Sequence, residues 1–306
     1  MDRMINENAV LKNVDTTPYV AFPLFEAHPE IVCGFSTRLG GVSRGCFASM
    51  NLGFHRGDEE ERVFENYRRI CRSMGFSPEQ LVFTDQVHKT NVRKAYRKDC
   101  GKGIFSQRDY GEVDAHITNE RGTVLLVFGA DCVPLFFYDP VKHAAGAAHA
   151  GWRGCVGGIA AKTVERMQEE FGSEPSDLLV AIGPSIGPEC YEVGAEVAGE
   201  FFQCFGEIRA DSPEISAAGG TGNYILSRKR RPQDIDIPGQ DKYMLNLWEA
   251  NKRMLLRAGI RKEHIAVSGL CTMCRQDLFF SHRASGGRRG SMAGFIMLAE
   301  EQKENG

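Results

Sequence analysis

Three side chains stand where their surroundings do not call for polarity. His88 closes the stretch LVFTDQVH, Cys132 sits in GADC between two apolar runs, and His149 ends the alanine-rich run KHAAGAAHAG. Open α/β sheets commonly place their ligands where a strand runs into a loop. One thiolate and two imidazoles suit a borderline-soft ion such as Zn²⁺, and three protein ligands leave a fourth position for water or substrate. The same residues allow other readings. Cys132 and His149 could act as nucleophile and base without a metal, and a buried histidine is often no more than a hydrogen-bonded core residue. Asp131, next to Cys132, and Asp114 are candidate carboxylates for proton transfer.

Two turns add candidates for holding an anion. GWRGCVGG reads as a glycine-rich loop feeding a helix N-terminus, where free backbone N–H groups favour negative charge and Arg153 could grip phosphate in bidentate fashion. STRLGGVS sets Arg38 beside Gly40 and Gly41. GLCTMC, residues 269–274, is a CxxC without a partner pair, which reads as core thiols near a strand end rather than a zinc ribbon.

The elements that must carry these residues are legible in outline. EIVCGFST predicts a strand, and residues 59–74 carry Val63, Tyr67, Ile70 and Met74 at helical spacing. LVFTDQVH predicts a strand reaching His88. TVLLVFGADCVPLFFYD predicts two buried strands, with Pro134 marking a break near Cys132. A helix is expected after Cys155 with Val156, Ile159, Thr163, Met167 and Phe171 inward and Gly172 as its stop. Further helices are expected over 189–205, with Val197, Phe201, Phe202 and Phe205 buried, and over 243–258. Strands are expected at SDLLVAI, HIAVSG and MAGFIML. The irregular alternation predicts a mixed sheet with outer helices, an α+β domain. Residues 207–242, with SRKRRPQD, read as a loop insertion with a solvated basic face.

The chain has 306 residues, 42% hydrophobic, with a formal net charge of −3. That charge gives no case for a nucleic-acid or membrane partner. No signal-like segment or membrane span is apparent, so the ten cysteines are expected to be reduced thiols of a cytoplasmic protein.

Seven blocks in order resemble the YfiH/laccase-domain family, also described as multicopper polyphenol oxidase domains and purine nucleoside phosphorylases of the YfiH type. Among them are FSTRLGGVSRGCFASMNLG, TDQVHKTNV, AAHAGWRGCVGGI and SGLCTMCRQDLFFSHRASGG, and together they span about residues 30–298. The resemblance implies a single-domain α/β/β/α sandwich with mixed sheets and zinc ligands at His88, Cys132 and His149. It implies phosphorolysis of adenosine, inosine and methylthioadenosine, with adenosine deamination, so that the partners are a purine nucleoside and phosphate. A bacterial branch is linked to peptidoglycan editing, an amidase reaction that Cys132 and His149 could serve. Phenol oxidation by a laccase needs several coppers. Eight scattered histidines do not supply them, although Cu²⁺ could enter the Cys/His site in vitro. The family commonly reads Gly-Arg-Met where this chain has Gly290-Ser291-Met292, preceded by Arg288 and Arg289.

Overall fold

The computed structural model describes residues 2–206, 224–228 and 242–300. In chain order the strands and helices are β1 (Arg3–Asn6), β2 (Ala9–Val14), β3 (Thr17–Ala21), β4 (Ile31–Ser36), α1 (Glu60–Met74), β5 (Leu81–Phe83), β6 (Val92–Lys94), β7 (Ala115–Thr118), β8 (Val124–Gly129), β9 (Val133–Asp139) and β10 (Ala144–Ala150). Then follow α2 (Trp152–Val156), α3 (Ile159–Phe171), β11 (Leu179–Ile182), β12 (Glu192–Gly194), α4 (Ala195–Phe205), β13 (Leu226–Arg228), β14 (Lys242–Leu245), α5 (Leu247–Arg257), β15 (Ile265–Val267), α6 (His282–Ser285) and β16 (Met292–Leu298).

Two mixed sheets lie face to face. One runs β1-β2-β3-β4-β16-β8-β5 and the other β15-β11-β9-β10-β7-β6, while β12, β14 and β13 form a small third sheet. The two-residue period of the strands sorts side chains between layers. In β16, Ala293, Phe295 and Met297 face α1 with Val63, Tyr67 and Ile70, whereas Met292, Ile296 and Leu298 face the opposite sheet. In β10, Ala144, Ala148 and Ala150 pack toward α3 and α5, and Ala145 and Ala147 toward the first sheet. Three apolar layers therefore separate α1, the two sheets and the α3–α5 side, which is the α/β/β/α arrangement expected. Gly294 and the alanines of β10 let large rings fill the middle layer. A Cβ on Gly294 would meet the Phe136 ring, with Cε1 at 2.8 Å.

Several expectations need correction. The strand expected to reach His88 ends at Phe83, and His88 lies on the loop beyond with φ of 61°. Pro134 does not break β9 but occupies its second position, opposite His149. Its carbonyl accepts from Gly183 N, so its missing N–H faces the side where β11 has already ended at Ile182. The glycine-rich turn after His149 is itself the five-residue helix α2, and α3 starts only at Ile159 after Gly158. Helix α4 begins at Ala195 and leaves Phe202 47% exposed. Residues 242–245 are strand, and α5 begins at Leu247 behind an Asn246 cap. Of the expected 207–242 insertion, β13 and its flank up to Tyr224 and the first residue of β14 are described; the rest lies outside the described residues. No described helix is long and apolar enough to cross a membrane.

Candidate active site

The site forms at one end of the second sheet. Strand β10 pairs with β9 so that His149 stands opposite Pro134, two residues from Cys132. It pairs with β7 so that Ala148 stands opposite Ala115, and His149 N donates to Asp114 O just beyond that pair. His149 and Asp114 thus emerge side by side. His149 Nδ1 lies 2.9 Å from Asp114 Oδ1, with both groups buried. This bond leaves Nε2 to face outward, the orientation that a carboxylate partner gives a metal-binding imidazole.

Asp114 also builds the His88 loop. Its carboxylate accepts from Val87 N at 3.2 Å, His88 N at 3.0 Å and Lys89 N at 2.9 Å. Three consecutive N–H groups wrapped on one anion stabilise the left-handed backbone at His88, which is otherwise unfavourable for a residue with a Cβ. One carboxylate thereby aims two histidines. Their rings meet edge to face, with centroids 4.8 Å apart.

Cys132 completes the group from the β8–β9 turn. Its Sγ lies 3.8 Å from His88 Nε2, and one ligand atom from each of His88, Cys132 and His149 falls within 4.8 Å of the others. Space for the group depends on Gly151. A Cβ there would stand 2.6 Å from His88 Cδ2 and 3.4 Å from Cys132 Sγ. Burial alone would push the Cys132 thiol up, but the imidazoles of His149 and His88 outweigh it and bring the pKa down to about 6. Burial would lower His149, but the Cys132 thiolate and the Asp114 carboxylate outweigh it and raise the pKa to about 9. The residues fit a cation: a thiolate, two oriented imidazoles and a carboxylate behind them match the chemistry of such sites.

His88 and Cys132 line a pocket of about 340 Å³ shared with Val87, Asp131, Arg153 and Tyr191, while His149 and Asp114 are buried. Arg153 is exposed, and its guanidinium carbon sits 4.2 Å from the centre of the Trp152 ring. It projects from α2 and not from a loop. Asp131 adopts φ of 93°. Its Oδ1 accepts from Thr272 Oγ1 at 2.6 Å, and its Oδ2 from Ser281 Oγ at 3.1 Å and Arg283 N at 2.7 Å. Both oxygens are engaged in tying the C-terminal loops to the Cys132 turn.

Arg38 does not line this pocket. Its Nε and Nη2 donate to Ala48 O at 3.1 and 2.8 Å, Nη1 donates to Gln276 O at 3.1 Å, and the group lies over the Phe280 ring. It braces the loop after β4.

Sequence reasoning left two residues without a role. Tyr191 is a pocket wall, and burial pushes its hydroxyl up to about 12. Arg289 is lowered to about 10, first by burial and then by Arg56, and the charges of Asp131 and Cys132 act on it in the opposite sense. Its Nε is buried without a partner among the described residues. The doublet Arg288-Arg289 was the one signal for it in the sequence.

Comparison with known proteins places these features in a wider group. Residues 32–299 match the family model described as multi-copper polyphenol oxidoreductase laccase. A protein of Geobacillus stearothermophilus named purine nucleoside phosphorylase YlmD is 40% identical over 272 residues, covering 88% of this chain and 91% of that one. The protein named purine nucleoside phosphorylase YfiH in Escherichia coli K12 is 34% identical over 263 residues, with 86% and 92% covered. The crystal structure of YlmD from Geobacillus stearothermophilus superposes with a TM-score of 0.79 at 36% identity, covering 95% of this chain and 99% of that one. The structure of Bacillus licheniformis YfiH gives 0.78 at 32% identity, with 94% and 98% covered.

Proposed function

Because the chain belongs to the multi-copper polyphenol oxidoreductase laccase family, and relatives within it are named purine nucleoside phosphorylases, we propose that it is a metal-dependent purine nucleoside phosphorylase acting on adenosine, inosine and methylthioadenosine, with adenosine deaminase activity. The observation that carries this reading is the convergence of His88, Cys132 and His149 at a pocket that also holds Arg153. His88, Cys132 and His149 would hold the cation, Zn²⁺ by the softness of the donors, and when bound it supplies Lewis acidity toward a substrate oxygen or a water.

The remaining work falls to the chain itself. In phosphorolysis a phosphate oxygen bonds to the ribose carbon as the bond to the purine nitrogen breaks, and the purine leaves with the proton that hydrogen phosphate gives up. Arg153 offers two parallel N–H donors for phosphate. Arg289 lines a separate pocket with Arg56 and Arg288, and its charge interacts with those of Asp131 and Cys132. Tyr191 gives a flat wall for a purine ring. Asp114 keeps both imidazoles aimed while already accepting four hydrogen bonds, and Asp131 holds the Cys132 turn. These bonds make both carboxylates positioning groups and poor proton shuttles. Arg38 takes no part in holding phosphate.

A second reading is favoured by one observation. Cys132, His149 and Asp114 stand in the order thiolate, imidazole, carboxylate, the arrangement of a cysteine hydrolase, which would suit an amidase. The test separates the readings. Purified protein is metal-analysed and incubated with adenosine, with and without phosphate, and the bases are resolved by chromatography. Phosphate-dependent adenine, lost in Cys132→Ser along with the metal and weakened in phosphate KM by Arg153→Ala, is the expected result. Inosine formed without phosphate marks the deaminase activity. A metal-free protein that forms neither product overturns the phosphorylase reading in favour of the amidase.

A further inference from the structure

The CxxC expected to supply core thiols does something else in three dimensions. Cys271 is buried, but Cys274 is exposed, and Cys190, distant in sequence, joins them. One sulfur from each lies within 4.8 Å of the others, with Cys190 Sγ and Cys274 Sγ 3.3 Å apart. Thiolates about 2.3 Å from a tetrahedral Zn²⁺ stand roughly 3.8 Å from one another, so the cluster is already close to the size a soft cation needs.

Two backbone N–H groups fix the place of one sulfur. Gly187 N donates to Cys271 Sγ at 3.2 Å, and Cys274 N donates to the same atom at 3.4 Å. Gly187 keeps this approach open, because a Cβ there would press on Cys271 Cβ at 3.1 Å and Sγ at 3.3 Å.

We propose that Cys190, Cys271 and Cys274 form a second cation site, separate from His88, Cys132 and His149, that takes a soft d¹⁰ ion, Zn²⁺ or Cu⁺. Its effect is mechanical. The site joins the loop after β11 to the loop after β15. The first loop carries Tyr191 of the pocket wall next to Cys190. The second carries Thr272, which holds Asp131 beside Cys132. The two loops also meet through a bridge in which Ser185 N donates to Leu270 O and Thr272 N to Ser185 O. A shared ion clamps the pocket floor from behind.

The experiment uses the full chain, reduced and stripped of metal, titrated with Co²⁺ or Zn²⁺ alone. Wild type is expected to take up about two equivalents, and Cys132→Ser and Cys274→Ser about one each. Position 274 is exposed, so this variant tests the ligand without emptying the core; an unchanged circular dichroism spectrum confirms that it folds. The sulfur-to-cobalt charge-transfer band, which scales with the number of thiolates, should fall by roughly three quarters in Cys274→Ser and by about one quarter in Cys132→Ser. Uptake of a single ion by wild type, with the band unaffected by Cys274→Ser, overturns the proposal. So does an unmetallated cluster in which Cys190 and Cys274 are found as a disulfide after exposure to peroxide in the presence of Zn²⁺, because a coordinated pair is shielded from that oxidation.

Discussion

A single hydrogen-sized vacancy governs the candidate site at the scale of residues. Gly151 has φ of −64° and ψ of 169°, an extended backbone that alanine adopts freely. The steric conflict is therefore local: the added methyl would press on the His88 ring and touch Cys132 Sγ. Gly151→Ala is expected to leave the melting temperature within a few degrees of wild type while lowering kcat/KM on nucleoside about 100-fold, the size of loss that follows a misplaced reacting group. Thermal unfolding and steady-state kinetics on the same preparation check it. A large loss of stability with unchanged activity per folded molecule would contradict this account. The three residues thought to bind the cation were legible in the sequence because each interrupts an apolar stretch. The part played by Asp114 was not, because it follows from the register of β7 against β10, which brings residues 35 positions apart into contact. Gly151 stood inside a quoted motif, yet its reason for being glycine needs the position of His88, which comes from another loop.

Periodicity found most strands and helices, and it failed where apolar pattern and hydrogen-bonding pattern disagree. LVFTDQVH looks like one strand, but Asp85 pairs with Val113 and the next residues fold around the Asp114 carboxylate, so the strand stops after three residues. The start of α5 was readable in principle. Asn246 accepts from Glu249 N, a capping signal present in NLWE, but the apolar residues just before it blurred the boundary. The first three strands carry too many polar residues to alternate cleanly and pair as a meander at the edge of the first sheet. The packing of one element on another yields its own prediction. β16 crosses β9 where Gly294 faces Phe136, and no side chain larger than hydrogen fits between them. Gly294→Ala is expected to cost about 1–3 kcal/mol by overpacking, and the double variant with Phe136→Leu should recover part of that. Urea unfolding of the four proteins in the cycle measures the coupling. Additive effects would show that the sheets can shift to absorb the methyl.

Closure of the whole sandwich was the least legible feature, since the last strand, β16, inserts between β4 and β8 and no local pattern announces it. The resemblance to a known family supplied the layer order, not the periodicity. What holds the two sheets together where their short edge strands β5 and β6 end is partly electrostatic. Asp99, fully buried, stands 2.9 Å from Arg93 Nη1 of β6 and 2.8 Å from Lys102 Nζ, and its Oδ2 accepts from Tyr96 N at 3.0 Å. The same segment reaches β5 through Gly101 N, which donates to Leu81 O. Burial would raise the Asp99 carboxyl, but the hydrogen bonds from Arg93 and Lys102 outweigh it and hold it far below the ordinary aspartate value of 3.8. A carboxylate whose folded pKa lies below its unfolded pKa contributes stability that is complete above the unfolded value and is lost as pH falls toward the folded one. The unfolded chain takes up the proton first. The urea midpoint of the wild type should therefore fall between about pH 5 and pH 3 by more than that of Asp99→Asn. At about pH 7 the variant should be the weaker protein by several kcal/mol, because Arg93 and Lys102 lose their counter-charge. Parallel pH dependences in the two proteins would mean that Asp99 titrates as it does in the unfolded chain, and that apolar packing alone closes this edge.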